Sequence, residues 1–190
     1  GCFHLLNKPS TAACNNIYTK SVWEDGCLVE VPFCQNPLIA KCDCAVLTIT
    51  NYSQAKLPDS FGNLSSLIKL GIYFSKIEKL PDNFGNNHKK IISLWAVNNK
   101  LKYLPETIGN LKSLMSLYVW NNHIKSLPNS IGNLKSMLYF YAWNNELSSL
   151  PSSIGGMEKL LNLWLFNNKL KSLPSSIGDL KYLDSLYVFN

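Results

Sequence analysis

The chain has 190 residues, enough for one large domain or one elongated stack of repeats, and its 46% hydrophobic content excludes a disordered chain. No apolar run approaches the roughly eighteen residues that a membrane span requires. The formal charge of +6 is carried by lysine without a single arginine, so the bidentate forks that read phosphate and guanine are missing and nucleic acid is not an expected partner.

The N-terminal quarter is distinct in composition. Gly1 opens the chain with no signal-peptide pattern, so the sequence reads as mature, truncated or trimmed. All six cysteines lie here, at Cys2, Cys14, Cys27, Cys34, Cys42 and Cys44. An even number in so short a segment predicts a disulfide-stapled cap over residues 1–43, made in an oxidising compartment, with its connectivity left open. Zinc is the competing reading, but neither CxxC nor HxxxH spacing occurs. Secretion would also make two Asn-x-Ser sequons candidate glycosylation sites: Asn63, in the exposed turn before a unit's first leucine, and Asn51, at the end of the first repeat strand.

The rest of the chain, residues 44–190, repeats itself. From Leu111 it reads LKSLMSLYVWNNHIKSLPNSIGN, from Leu134 LKSMLYFYAWNNELSSLPSSIGG, and from Met157 MEKLLNLWLFNNKLKSLPSSIGD. A unit from His88 fits the template, two divergent units start at Lys41 and Leu64, and an incomplete seventh runs from Leu180 to Asn190. The spacing is 23 residues, except that one extra residue near Asn87 makes the second unit 24. Each unit carries LxxLxLxxNxL, as in Leu114, Leu117, Val119, Asn122 and Ile124. This pattern resembles the leucine-rich repeat family from about Lys41 to Asn190, and the trailing LPxSIGxL is similar to the repeats of plant Ras-group and receptor-type members. The resemblance implies an α/β-type solenoid, a horseshoe with a parallel concave β-sheet. Each repeat would supply one short strand, with turns or short helical pieces on the convex side.

The residues agree on physical grounds. Alternation at Leu117 and Val119 has the period of a half-buried strand, and each unit buries its apolar face only against its neighbours. Asn99, Asn122, Asn145 and Asn168 recur where the strand turns away, as a structural ladder satisfying backbone groups of adjacent turns. The Leu-Pro steps at Pro105, Pro128, Pro151 and Pro174 favour extended backbone before each convex turn. In the two first units Tyr52 and Ser75 replace the asparagine, as expected near a terminal cap. Cys42-Asp43-Cys44 leads directly into Ala45-Val46-Leu47, much as the cysteine-flanked caps of extracellular leucine-rich repeat proteins lead into their first strand. The spacing departs from theirs, and Leu28–Val31 reads as an edge strand.

Residues flanking the buried strand positions face the concave side. They form one column of Trp95, Tyr118, Tyr141, Trp164 and Tyr187, headed by Thr48 and Gly71. A second runs through Tyr73, Val97, Trp120, Trp143, Phe166 and Phe189, and beside it lies an amide row of Asn98, Asn121, Asn144, Asn167 and Asn190. Cross-strand pairing, at roughly 0.2–1 kcal/mol per pair, explains why a ring is tolerated but not why open positions are aromatic in unit after unit. These columns are therefore the expected ligand-binding face. Aromatics beside amides suit a protein partner first and a glycan second, and strand-face charge is confined to Lys69 and Asp184. Lys102, Lys125 and Lys171, with Lys112, Lys135 and Lys181, read as a solvated rim, or alternatively as attachment to an acidic surface.

His4, His88 and His123 are scattered, and no carboxylate pair, phosphate loop or metal cluster accompanies them, so neither enzyme activity nor a cofactor is expected. Because Asn190 falls inside a unit, further repeats or a covering subunit are expected. The leading reading is an extracellular recognition or adhesion module. The alternative is a structural subunit of an extracellular assembly, with the concave face and open end packed against other copies or chains.

Overall fold

The computed structural model describes the backbone of residues 18–24 and 27–33, together with residues 46–57, 61, 65 and 67–189. Cys2, Cys14, Cys34, Cys42, Cys44, Asn63 and Asn190 lie outside the described residues, so the disulfide cap and the second sequon are not addressed by it. Cys27 is placed by its backbone alone.

The described strands form one sheet in chain order: β1 (Tyr18–Glu24), β2 (Cys27–Phe33), β3 (Val46–Thr50), β4 (Lys69–Tyr73), β5 (Ser93–Val97), β6 (Ser116–Tyr118), β7 (Tyr139–Tyr141), β8 (Asn162–Trp164) and β9 (Ser185–Tyr187). From β3 to β9 every pairing is parallel, with like positions of successive repeats in register: Leu47, Leu70, Leu94, Leu117, Phe140, Leu163 and Leu186. Parallel strands need a crossover between them, and each repeat supplies one by winding once around the core. β2 is not the edge strand read from Leu28–Val31. It lies antiparallel between β3 and β1, and β1 forms the edge. Alternation in Leu28–Val31 marks strand residues, but it carries no signal of a second partner.

Each coil is built the same way. Leucines of the strand and of the return path are almost wholly buried in one continuous core, including Leu94, Leu101, Leu104, Leu111, Leu114 and Leu117. After the strand a buried asparagine closes the turn. Asn122 accepts from Leu101 N at 3.0 Å and donates Nδ2 to the carbonyls of Ala96 at 2.7 Å and Val119 at 2.9 Å. Asn145 and Asn168 make the same bonds one and two coils on. Each buried amide thus satisfies backbone groups of its own coil and of its neighbour, as the interior of a solenoid requires. Ser75 does part of this work in the second repeat, accepting from Tyr52 N through Oγ at 3.0 Å.

Pro105, Pro128, Pro151 and Pro174 are extended, with Pro105 at φ −66° and ψ 149°, and each leads into a short 3₁₀ turn. Among the described residues four such turns line the convex side, at Glu106–Asn110, Asn129–Asn133, Ser152–Gly156 and Ser175–Asp179. The extra residue near Asn87 turns the corresponding piece of the second repeat into a single α turn, α1 (Phe84–Asn87). The glycines of the first three IG steps, Gly109, Gly132 and Gly155, let adjacent coils meet: a Cβ added at Gly109 would fall 2.5 Å from the Ser130 carbonyl oxygen. Among the described residues no helix is long and apolar enough to cross a membrane.

Candidate functional site

The register of the sheet lays three concave positions of each repeat side by side. The first is a row of mostly small polar residues at the strand starts: Lys69, Ser93, Ser116, Tyr139, Asn162 and Ser185. The second is the column Trp95, Tyr118, Tyr141, Trp164 and Tyr187. Just past the three-residue strands comes the third, with Trp120, Trp143, Phe166 and Phe189, joined at its head by Tyr73 of β4. Val97 was expected in that column, yet it is only 3% exposed. A valine in register with Tyr73 and one strand from Trp120 lies below the tops of those larger rings.

The rings are organised by each other. Trp120 and Trp143 lie 5.2 Å apart with planes 9° from parallel, Trp143 and Phe166 5.2 Å and 7°, and Phe166 and Phe189 6.2 Å and 18°. In the other column Tyr141 and Trp164 stack at 4.2 Å and 9°, while Trp95 tilts against Tyr118 at 4.1 Å and Trp164 meets Tyr187 edge to face. Parallel rings at 4.2 or 5.2 Å cannot lie flat beside one another without overlapping. They stand on the sheet, faces against faces along the solenoid, at about the 4.8 Å strand spacing. The stacked rings therefore turn edges outward, with positively polarised C–H groups and indole N–H groups.

Polar side chains of the first row hold several rings upright. Trp95 Nε1 donates to Ser93 Oγ at 2.9 Å, Trp164 Nε1 to Ser185 Oγ at 3.1 Å, and Asn162 Nδ2 to the Tyr141 hydroxyl at 3.3 Å. Burial pushes the phenols of Tyr73 and Tyr118 above their ordinary range, offset in part for Tyr118 by a hydrogen bond with Ser116. Trp120 and Trp143 have no such tether among the described residues, which leaves two parallel indole N–H donors at the centre of the face.

The amide row has a backbone reason as well as a surface position. Asn51, Asn98, Asn121, Asn144 and Asn167 all adopt left-handed backbone, with φ between 52° and 56°, a region asparagine tolerates far better than most residues. Their side chains are partly joined: Asn121 Nδ2 donates to Asn98 Oδ1 at 2.6 Å and Asn144 Nδ2 to Asn121 Oδ1 at 2.8 Å. Asn51, at the end of β3, is exposed.

An aliphatic ridge at the other edge of the face escapes the sequence reading. Ile68, Ile92 and Met115 precede the strands and are 37–39% exposed, followed by half-buried Leu138 and Leu161. The signal was an apolar residue just before the strand in five consecutive repeats, ending at Asp184. Across the face the order is thus aliphatic ridge, polar row, two ring columns, amide row and then the lysines that follow the strand exits. Among the described residues no group of three or more His, Cys, Asp or Glu could hold a metal.

Fold and site define an open solenoid whose broad sheet face carries two columns of rings between a polar row and an amide row. The Leucine Rich Repeat family model matches residues 113–134. Among solved structures the chain is similar to the plant peptide hormone receptor RGFR1 in complex with RGF2, at 34% identity and TM-score 0.66, over 74% of this chain and 23% of that one. It is also similar to a leucine-rich repeat protein of Leptospira interrogans, at 29% identity and TM-score 0.56, covering 70% and 40%. An internalin of Listeria monocytogenes shares the fold at 22% identity and TM-score 0.55, covering 72% and 46%. The chain thus spans less than half the length of each. No curated protein matches it. Repeat, fold and matches together give this chain a leucine-rich repeat solenoid fold.

Proposed function

We propose that the concave face recognises a polypeptide partner without catalysis, and that the chain is the recognition part of an extracellular or cell-surface protein. The observation that carries the polypeptide reading is the standing orientation of the rings. Sugars stack on ring faces, and here the faces of Trp143 and its neighbours are taken up by each other. What points outward is an array of ring edges, two untethered indole N–H groups and an amide row. Such groups suit backbone carbonyls and apolar side chains of a protein, and Trp and Tyr are prominent among interface anchors. The 34% likeness to a receptor solved with RGF2 supports the same class of ligand, and the clustered cysteines support secretion.

Selection of a displayed random-peptide library on the purified protein, beside a glycan array, tests this. Peptides enriched on the wild type and lost on Trp120→Ala/Trp143→Ala, with the circular dichroism of the fold unchanged, are the expected result. Hits confined to glycans would overturn the polypeptide reading. Oligomers that the same substitutions dissolve would make the face an assembly surface instead.

A further inference from the structure

One coil breaks the pattern of the amide row. Where Asn51, Asn98, Asn121, Asn144 and Asn167 leave their strands in left-handed backbone, the second repeat has Phe74, at φ 50°. An asparagine accommodates that conformation through its short polar side chain, whereas a bulky residue is strained there. Phe74 gains little burial in return: it is 66% exposed and takes part in none of the ring contacts that order the two columns. Strain held at an exposed aromatic residue points to a role in binding.

Its surroundings say what it would bind. The first ring column ends here, because Gly71 takes the place of a ring and Tyr73 lies over it, so that a Cβ at Gly71 would fall 2.5 Å from Tyr73 Cε2. The amide row is polar in direction: Asn144 donates to Asn121 and Asn121 to Asn98. Its donor end is therefore Asn98 Nδ2, next to Phe74, whose ring offers no oxygen, and among the described residues this amide has no other acceptor. Lys76 and Lys100 follow in equivalent positions of successive coils, both exposed, with no described carboxylate in ion-pair range. Glu78 lines the same shallow groove, but Lys102 holds it at 2.6 Å, and His123 there is engaged by Glu146 at 3.3 Å.

We infer that Phe74, Asn98, Lys76 and Lys100 form a rim clamp for an acidic polypeptide segment where it leaves the ring columns. The phenyl ring takes an apolar side chain of the segment, while the ammonium groups and the amide take a carboxylate beside it. This rests on the polypeptide reading of the concave face. A simple polyanion would use the lysines and leave Phe74 unexplained.

The test is selection of the same random-peptide library on the wild type, Phe74→Asn and Lys76→Glu/Lys100→Glu. The wild-type pool should be rich in Asp and Glu next to an apolar residue, and the charge-reversed variant should exchange that preference for Lys and Arg. An acidic peptide from the wild-type pool should bind Phe74→Asn about tenfold more weakly, while the thermal midpoint of that variant rises as the strain is relieved. A wild-type pool without acidic bias, yet still dependent on Trp120 and Trp143, would overturn the clamp and leave the polypeptide reading standing. So would Phe74→Asn binding as well as the wild type, or melting earlier than it, which would make Phe74 structural. Enrichment of nothing at all would remove both readings together.

Discussion

The two adjacent asparagines of each coil carry different loads. The second, as in Asn122, is buried and bonded to groups of four backbone residues, Leu101, Ala96, Val119 and Trp120. The first, as in Asn121, lies at the surface and is selected by its left-handed backbone. Asn122→Ala strands a buried N–H and at least one carbonyl, and should cost about 3 kcal/mol of unfolding free energy; Asn121→Ala should cost about 1 kcal/mol. Denaturant titration of the two variants checks the order, and equal costs would refute this division. Gly109→Ala should cost about 1–3 kcal/mol, since its Cβ would press on backbone of the next coil and not on a movable side chain. The buried ladder was legible from the recurrence of asparagine after the strand. The backbone reason for its neighbour was not, because exposed asparagines in a row look the same whether chosen for a ligand or for φ.

At the level of the element, the period-two alternation of each strand showed which side chains leave the sheet on the open side. It could not show how they stand. Ring orientation depends on side-chain torsions and on neighbours one repeat away, and those neighbours set the stacked rings on edge. The same limit explains Val97, whose exposure depends on the larger side chains flanking it. It applies also to Ser93, Ser116 and Ser185, whose bonds to the indole and phenol groups no alternation pattern reveals. Stacking of this kind adds modest stability, so Trp143→Ala should lower the unfolding free energy by about 1–2 kcal/mol while the fold persists. Loss of the folded state in that variant would show that the rings are core and not surface.

Over the whole molecule, stability comes from each coil resting on the next, and surface charge modulates it only slightly. Glu158 is exposed and Glu78 and Glu146 are partly exposed, and their carboxyls are held below the ordinary range, first by hydrogen bonds from Lys135, Lys102 and Lys169 respectively and then by the charge of those lysines. A carboxyl depressed in the folded state contributes stability that is complete above its unfolded value, about pH 4.3, and is lost as pH falls through the folded one. The thermal midpoint should therefore stay level from neutral pH to about pH 5 and decline gently below about pH 4. Salt at about 1 M, where the screening length is near 3 Å, should flatten that decline.

The repeat itself was legible because a solenoid writes its architecture once per coil. The antiparallel pair β1 and β2 was legible only in part, since it occurs once and its partners are set by the fold of the segment around it.

Recognition by the concave face requires that the outward edges of the ring columns meet a polypeptide. The most direct measurement is a two-dimensional nitrogen–proton spectrum of the indole N–H groups while a library-selected peptide is added. The resonances of Trp120 and Trp143, which have no tether in the free face, should move most, and those of Trp95 and Trp164, bonded to Ser93 and Ser185, should move less. Saturating binding that leaves the Trp120 and Trp143 resonances in place would mean that the peptide docks elsewhere and that the concave face is not the recognition surface.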